Sequence, residues 1–208
     1  LARVLEEAYN TAGEDPDFCA FVDTQGLGRD DRCIPEIIEK VYDSARCHLD
    51  SQAWLDACVD NARTDHVEDA AQTLWGRYLM EDLFSYIDLQ IEAMENCAAL
   101  AAMSSGMEKP AALLKDTLWQ LENLRSSHTW DEIVARKSID YGRLVISKKC
   151  PDQELGERIK AVRSACKAGL EKKLRSFADD SAQTLRDMEK SAMAVAGMVE
   201  LVRQFSKE

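Results

Sequence analysis

A chain of 208 residues with 46% hydrophobic and 31% charged side chains can bury one substantial core, and that composition excludes an intrinsically disordered protein. No apolar run approaches the roughly 20 residues needed to cross a bilayer, which excludes a membrane span within these residues. The net charge of -12 is lopsided: residues 1–100 carry 22 acidic and 7 basic side chains, whereas residues 101–208 carry 16 and 19. Phosphate repulsion at the acidic half argues against nucleic acid as a partner and favours a basic protein surface.

The first residue is Leu1, with no signal-like segment behind it. The expectation is a processed form or an excised domain, with any leader or anchor lying outside these residues. Residues 1–33 read as a loop-rich N-terminal segment, because Gly13, Pro16, Gly26 and Gly28 gather between 12 and 33 together with Cys19 and Cys33. Past Pro35, Ile37, Ile38, Val41, Tyr42, Ala45 and Leu49 fall at helical spacing. Asp50 or Ser51 caps a restart that carries Trp54, Leu55, Cys58 and Val59.

Asp65 and Glu68 stand at capping-box spacing, and an apolar pattern then runs for almost forty residues from Val67 through Leu74, Tyr78, Leu83, Ile87, Ile91 and Met94 to Ala101. Ser104-Ser105-Gly106 stops it. A shorter helix runs from Pro110 to about Arg125. Thr129 and Glu132 form a second capping box, opening a helix lined by Trp130, Ile133, Val134, Tyr141, Leu144 and Val145 that closes at Lys148, Lys149 and Cys150.

From Asp152 onward there is no proline, and Ile159, Val162, Cys166, Leu170, Leu174, Phe177, Leu185, Met188, Val195, Val199 and Val202 continue one seam. This spacing predicts a single helix over residues 152–208, roughly 80 Å long, with a bend near Gly169 as its weak point. Strand signals are nearly absent. The expected fold is therefore all-α: one domain over residues 1–208, an elongated antiparallel three- or four-helix bundle (34–208) behind a cysteine-containing N-terminal loop region.

Chemistry is harder to find. With His48, His66 and His128 as the only histidines and neither HExxH nor Glu-x-x-His present, no metal site is expected. Gly26-Leu27-Gly28 lacks the third glycine and the preceding strand of a dinucleotide loop. Ser164-Ala165-Cys166-Lys167 matches a pattern too short to mean anything by itself. Glu81-Asp82 and Asp179-Asp180 fall at solvent-facing phases. No catalytic residues and no cofactor are expected, and the chain reads as non-enzymatic.

The seven cysteines are many for an intracellular bundle, and four lie within forty residues. Cys19, Cys33, Cys47, Cys58, Cys150 and Cys166 are the candidate disulfide cysteines, and the first four permit three pairings. Cys97 and Cys166 also sit on apolar helical faces, where a free thiol serves as a small core residue. Trp54 and Trp130 fall on the apolar stripes of their helices. Trp75 and Trp119 fall off theirs, which makes them either packing residues against a third helix or exposed anchors for a partner.

The long proline-free helices across residues 35–208 and the cysteine-containing region from Cys19 to Cys58 resemble the elongated, disulfide-pinned helical surface receptors and invariant surface glycoproteins of trypanosomes. That resemblance implies a host-facing ectodomain that binds a serum protein, with the bundle as stalk and the loop-bearing end as recognition surface. The leading expectation is thus a secreted or cell-surface protein that binds a protein partner and no nucleic acid. The alternative is an intracellular or organellar scaffold component of a larger complex.

Overall fold

The computed structural model describes residues 1–26, 31–65, 67–147 and 150–207. Gly28, His66, Lys148 and Lys149, which the sequence reading singled out, lie outside them. Among the described residues the chain forms nine α-helices and no strand, so the protein is all-α with bundle-like packing. The helices are α1 (Ala2–Thr11), α2 (Pro16–Gln25), α3 (Ile34–Arg46), α4 (Ser51–Ala62), α5 (Leu74–Met103), α6 (Glu108–Arg125), α7 (Trp130–Arg136), α8 (Gln153–Leu174) and α9 (Ser181–Phe205). They fall into two compact units, one of Leu1–Glu68 with Ala182–Glu208 and one of Asp69–Ser181.

In the first unit the helix starts follow local chemistry. Asp15 accepts from the backbone N–H groups of Asp17 and Phe18 while Pro16 occupies the first helical turn, so Pro16–Gln25 is helical and the expected loop over 12–33 is shorter than its composition suggested. Asp50 caps α4 through the Ala53 N–H at 2.9 Å, as its sequence position indicated. The core gathers Val4, Phe18, Phe21, Ile34, Ile38, Leu55, Val199 and Val202. Tyr9 stands edge-on to Phe18, Tyr42 packs on Phe205, and Arg203 pairs with Asp56.

The second unit is built around α5. Arg125 near the end of α6 pairs with Asp88 and lies over the Phe84 ring, so α6 runs antiparallel to α5. Lys173 of α8 pairs with Asp82, and Gly169 sits against the Tyr86 hydroxyl, so α8 is antiparallel to α5 as well. The chain between α7 and α8 must therefore return along α6. Asp140 is held by Gln120, Gly142 sits against Leu113, and Cys150 reaches the Ser105 carbonyl. Gly142 makes its turn with φ +56°.

Three sequence expectations are corrected here. The Asp65–Glu68 box starts no helix: residues 70–72 form a 3₁₀ turn, and the cap of α5 is Thr73, which accepts from Gly76 N–H at 2.9 Å. The helix that opens at Thr129 ends at Arg136, because Lys137 and Asp140 are drawn into bonds with residues 177–178 and with Gln120. The single helix over 152–208 is two, α8 and α9, joined by a 3₁₀ turn at Arg175–Phe177 and a short non-helical link.

That break is stapled from the α7 region. The Lys137 ammonium donates to the carbonyls of Phe177 and Ala178, the Trp130 indole N–H donates to the Asp179 carbonyl, and the Asp131 carboxylate accepts from Ser181 N–H at 2.7 Å. Backbone groups freed by ending one helix and starting another are thereby satisfied by side chains 40 or more residues away. Gly169 is no hinge: it lies within α8 and admits the Tyr86 ring.

Candidate nucleic-acid interface

Charge separates the two units. The first unit holds 20 acidic and 10 basic residues and the second 18 and 16. Within the second unit, residues 136–175 carry 12 basic and only 5 acidic side chains. Helix α8 and its 3₁₀ extension supply much of this run, because their core face is spent on Leu155, Ile159, Cys166 and Leu170 while the solvent side takes the long cations.

The cations differ in what they already hold. Lys160 and Lys167 pair within α8 with Glu157 and Glu171, Lys173 is bound to Asp82 at 2.5 Å, and Lys137 is committed to backbone carbonyls. Arg143, Arg158, Lys172 and Arg175 are exposed and have no carboxylate partner among the described residues. Their charge faces water, where it is free to meet an anion.

Beside this run, helix α5 exposes aromatic surface. Trp75 is 59% and Tyr78 64% accessible, three residues apart on one side of the helix. The antiparallel register set by Lys173 with Asp82 and Gly169 with Tyr86 places the start of α5 alongside the end of α8. Trp119 on α6 is also exposed, at 63%, but its helical neighbours Lys115, Asp116 and Glu122 are of mixed charge. The off-stripe phases of the two tryptophans thus correspond to exposure in both cases.

A buried polar cluster sits behind α8. Arg163 is 7% exposed and donates to the Tyr141 carbonyl, while its Nε and the Tyr141 hydroxyl find no partner among the described residues. Burial lowers the Arg163 pKa, raises that of the Tyr141 phenol, and pushes the neighbouring Cys166 thiol up to about 11. These shifts keep Cys166 and Tyr141 neutral. The arrangement ties the returning segment to α8 and leaves Cys166, the thiol of the Ser164–Lys167 pattern, an inert core group.

All seven cysteines are free thiols in the structure. Among the disulfide candidates, Cys19, Cys33 and Cys47 direct their Sγ atoms to the carbonyls of Ala12, Gln25 and Asp43, Cys58 is half-buried in the first unit's core, and Cys150 and Cys166 are buried in the second unit. No group of three or more His, Cys, Asp or Glu side chains among the described residues is arranged to hold a metal ion, and no described helix is long and apolar enough to cross a membrane. The first unit has a cleft of about 390 Å³ whose charged lining is Arg63 and Arg186 with Asp17, Asp65 and Glu189. Sequence reasoning missed the cationic run because it weighed charge by halves of the chain; counting over windows of forty residues finds it.

No protein-family model matches the chain. Over 222 aligned positions it is 28% identical to an ATP-dependent helicase/nuclease subunit of Lachnoclostridium phytofermentans, an alignment covering 99% of the chain and 15% of that relative. Helicase/nuclease subunits of the same name from Listeria monocytogenes and Ruminiclostridium cellulolyticum are 25% identical over 217 positions and 23% identical over 173. Those alignments cover 100% and 81% of the chain but 17% and 14% of the relatives. The chain therefore spans between about one seventh and one sixth of the length of the curated relatives it matches.

These relatives overturn the surface-protein reading. Bacterial helicase/nuclease subunits replace the trypanosome surface glycoproteins as the proteins this chain is similar to, and with them go the secreted or cell-surface localisation, the receptor role and the non-enzymatic assignment. Long helices and clustered cysteines misled because they report architecture, which unrelated functions share. The absence of catalytic motifs misled because a chain that spans so small a share of its relatives need not carry the motifs that give them their name. The exclusion of nucleic acid, argued from the acidic first hundred residues, loses its force for the second unit, where the cations gather.

Proposed function

We propose that this chain is an all-helical segment of a DNA-processing enzyme of the ATP-dependent helicase/nuclease type, acting inside the cell, and that its second unit contacts the nucleic acid. The observation that carries this reading is the alignment of 81–100% of the chain with helicase/nuclease subunits from several bacteria. The exposed, unpaired cations of residues 136–175 support the assignment of DNA contact to the second unit, because phosphate neutralisation is what sequence-independent binding requires.

Fluorescence anisotropy of a labelled forked DNA tests it. The chain should bind, and binding should weaken as salt rises from about 50 to about 200 mM. Charge reversal at Arg143 and Arg158 should weaken it further, whereas reversal at Arg186 and Lys190 in the first unit should leave it unchanged. Absence of binding at about 50 mM salt, or equal loss from both pairs of reversals, would overturn the assignment.

A further inference from the structure

Exposed tryptophan and tyrosine one helical turn apart are unusual on a surface this charged, and neither side chain is needed by the core beneath. The buried side of α5 at this end is supplied by Gly76, Met80 and Leu83. Trp75 and Tyr78 project from the same side of the helix. Their position along it is fixed by the Asp82–Lys173 pair, which lies about 10 Å beyond Trp75 and about 6 Å beyond Tyr78 at about 1.5 Å per residue. Lys172 precedes that lysine directly and Arg175 follows it within one turn, both exposed and without a carboxylate partner among the described residues. Asp82 is already neutralised by Lys173. The acidic pair Asp179-Asp180 ends the cationic run in sequence.

Flat aromatic faces at the start of α5 and unspent cations at the end of α8, brought alongside by the register of the two helices, match the chemistry of single-stranded nucleic acid. Unpaired bases offer π-faces for stacking, and the adjoining phosphates take the charge. A duplex hides its bases and leaves Trp75 and Tyr78 nothing to stack on. An apolar protein partner would meet Lys172 and Arg175 at the cost of stripping their water. Resting on the reading of the chain as a DNA-processing segment, we infer that Trp75 and Tyr78 form a stacking platform for single-stranded DNA, with Lys172 and Arg175 holding its phosphates.

The test uses the whole chain and a fluorescein-labelled oligothymidylate, with an equal-length duplex as competitor. Oligothymidylate should quench part of the tryptophan emission and bind more tightly than the duplex. Affinity should fall about tenfold for each ring removed in Trp75→Ala and Tyr78→Ala, while Trp75→Phe keeps most of the affinity and loses the quenching. Lys172→Ala with Arg175→Ala should reduce the slope of log affinity against log salt by about 1.4, at roughly 0.7 per phosphate contact. All four side chains are on the surface, so unchanged helicity and thermal midpoint should accompany these losses.

If the wild-type chain binds DNA and the ring variants bind equally well, the platform is wrong and the DNA-processing reading survives. Failure of the wild-type chain to bind any DNA at about 50 mM salt overturns both. Should the ring variants change self-association in sedimentation and leave oligothymidylate affinity untouched, the face is a protein contact and the platform is again overturned.

Discussion

The two units use the same material, amphipathic helices, for different surfaces. The first unit turns most of its aromatics inward: Phe18 and Phe21 are buried and Tyr42 leans on Phe205, with Tyr9, 41% exposed, standing edge-on to Phe18, while the unit carries a two-to-one excess of acid. The second unit buries Trp130 and Phe177 but leaves Trp75, Tyr78 and Trp119 in water, and it carries a run of cations over residues 136–175. An acidic shell over a closed core repels phosphate and holds itself together. A near-neutral unit with exposed rings lacks that general repulsion and leaves flat apolar surface open to solvent.

The sharpest way to separate the units is to damage each core in turn. Trp130→Ala removes a ring that is 1% exposed, packs on Phe177 with centroids 4.4 Å apart, and donates its indole N–H to Asp179. It should destabilise the second unit by about 3–5 kcal/mol and reduce DNA binding with it. Phe21→Ala, equally buried in the first unit, should lose a comparable amount of stability in urea titrations read by far-ultraviolet dichroism. DNA binding measured well below the denaturation midpoint should nonetheless be retained. If Phe21→Ala abolished binding under those conditions, the functional division between the units would fail.

A smaller effect compares two helix glycines. A Cβ at Gly197 would stand against the Asp17 carbonyl, a backbone group, whereas a Cβ at Gly169 would meet the Tyr86 hydroxyl, the end of a side chain. Backbone cannot step aside as a phenol can. Gly197→Ala should therefore destabilise by about 1–3 kcal/mol through overpacking. Gly169→Ala should lose less, and in a Tyr86→Ala background, where ring and hydroxyl are both gone, should recover toward the roughly 1 kcal/mol helix-propensity gain of alanine over glycine. Equal costs at the two positions, measured by chemical denaturation, would show that α8 and α9 are no differently constrained by what they pack on.

These comparisons also show what the sequence could and could not reveal. Local signals were readable: Asp50 and Thr129 cap helices where their spacing said, and α5 ends just before the Ser104-Ser105-Gly106 stop, whereas the off-stripe phases of Trp75 and Trp119 left packing and exposure both open, and both rings are exposed. The break after α8 was hidden, because apolar residues keep helical phase across it and its cause is Lys137, Trp130 and Asp131 arriving from another part of the chain. The placing of the start of α5 alongside the end of α8 was hidden for the same reason. It depends on the α5–α8 register, set by a contact between residues 91 positions apart that no local pattern encodes. Function was least legible, since the features of a helical segment are shared by proteins with unrelated tasks.

The mildest test uses thiols. With seven free cysteines, seven equivalents should react with a thiol reagent in denaturant without reductant, and a lower count would restore the disulfide reading of Cys19, Cys33, Cys47 and Cys58. In the folded chain Cys47, which is exposed, should react first, and Cys97, Cys150 and Cys166, which are buried, last. Burial holds the Cys166 thiol protonated up to about 11, above the ordinary 9.0, so the folded state binds that proton more tightly than the unfolded chain does. Its contribution to stability is then complete below about pH 9 and is lost progressively as pH rises from there through about 11. Cys166→Ala should flatten that part of the stability profile, measured by urea midpoints at fixed ionic strength. An unaltered slope in Cys166→Ala would mean that the thiol is more hydrated than its place between α5 and α8 allows. The closed core assigned to the second unit behind its exposed rings would then have to be redrawn.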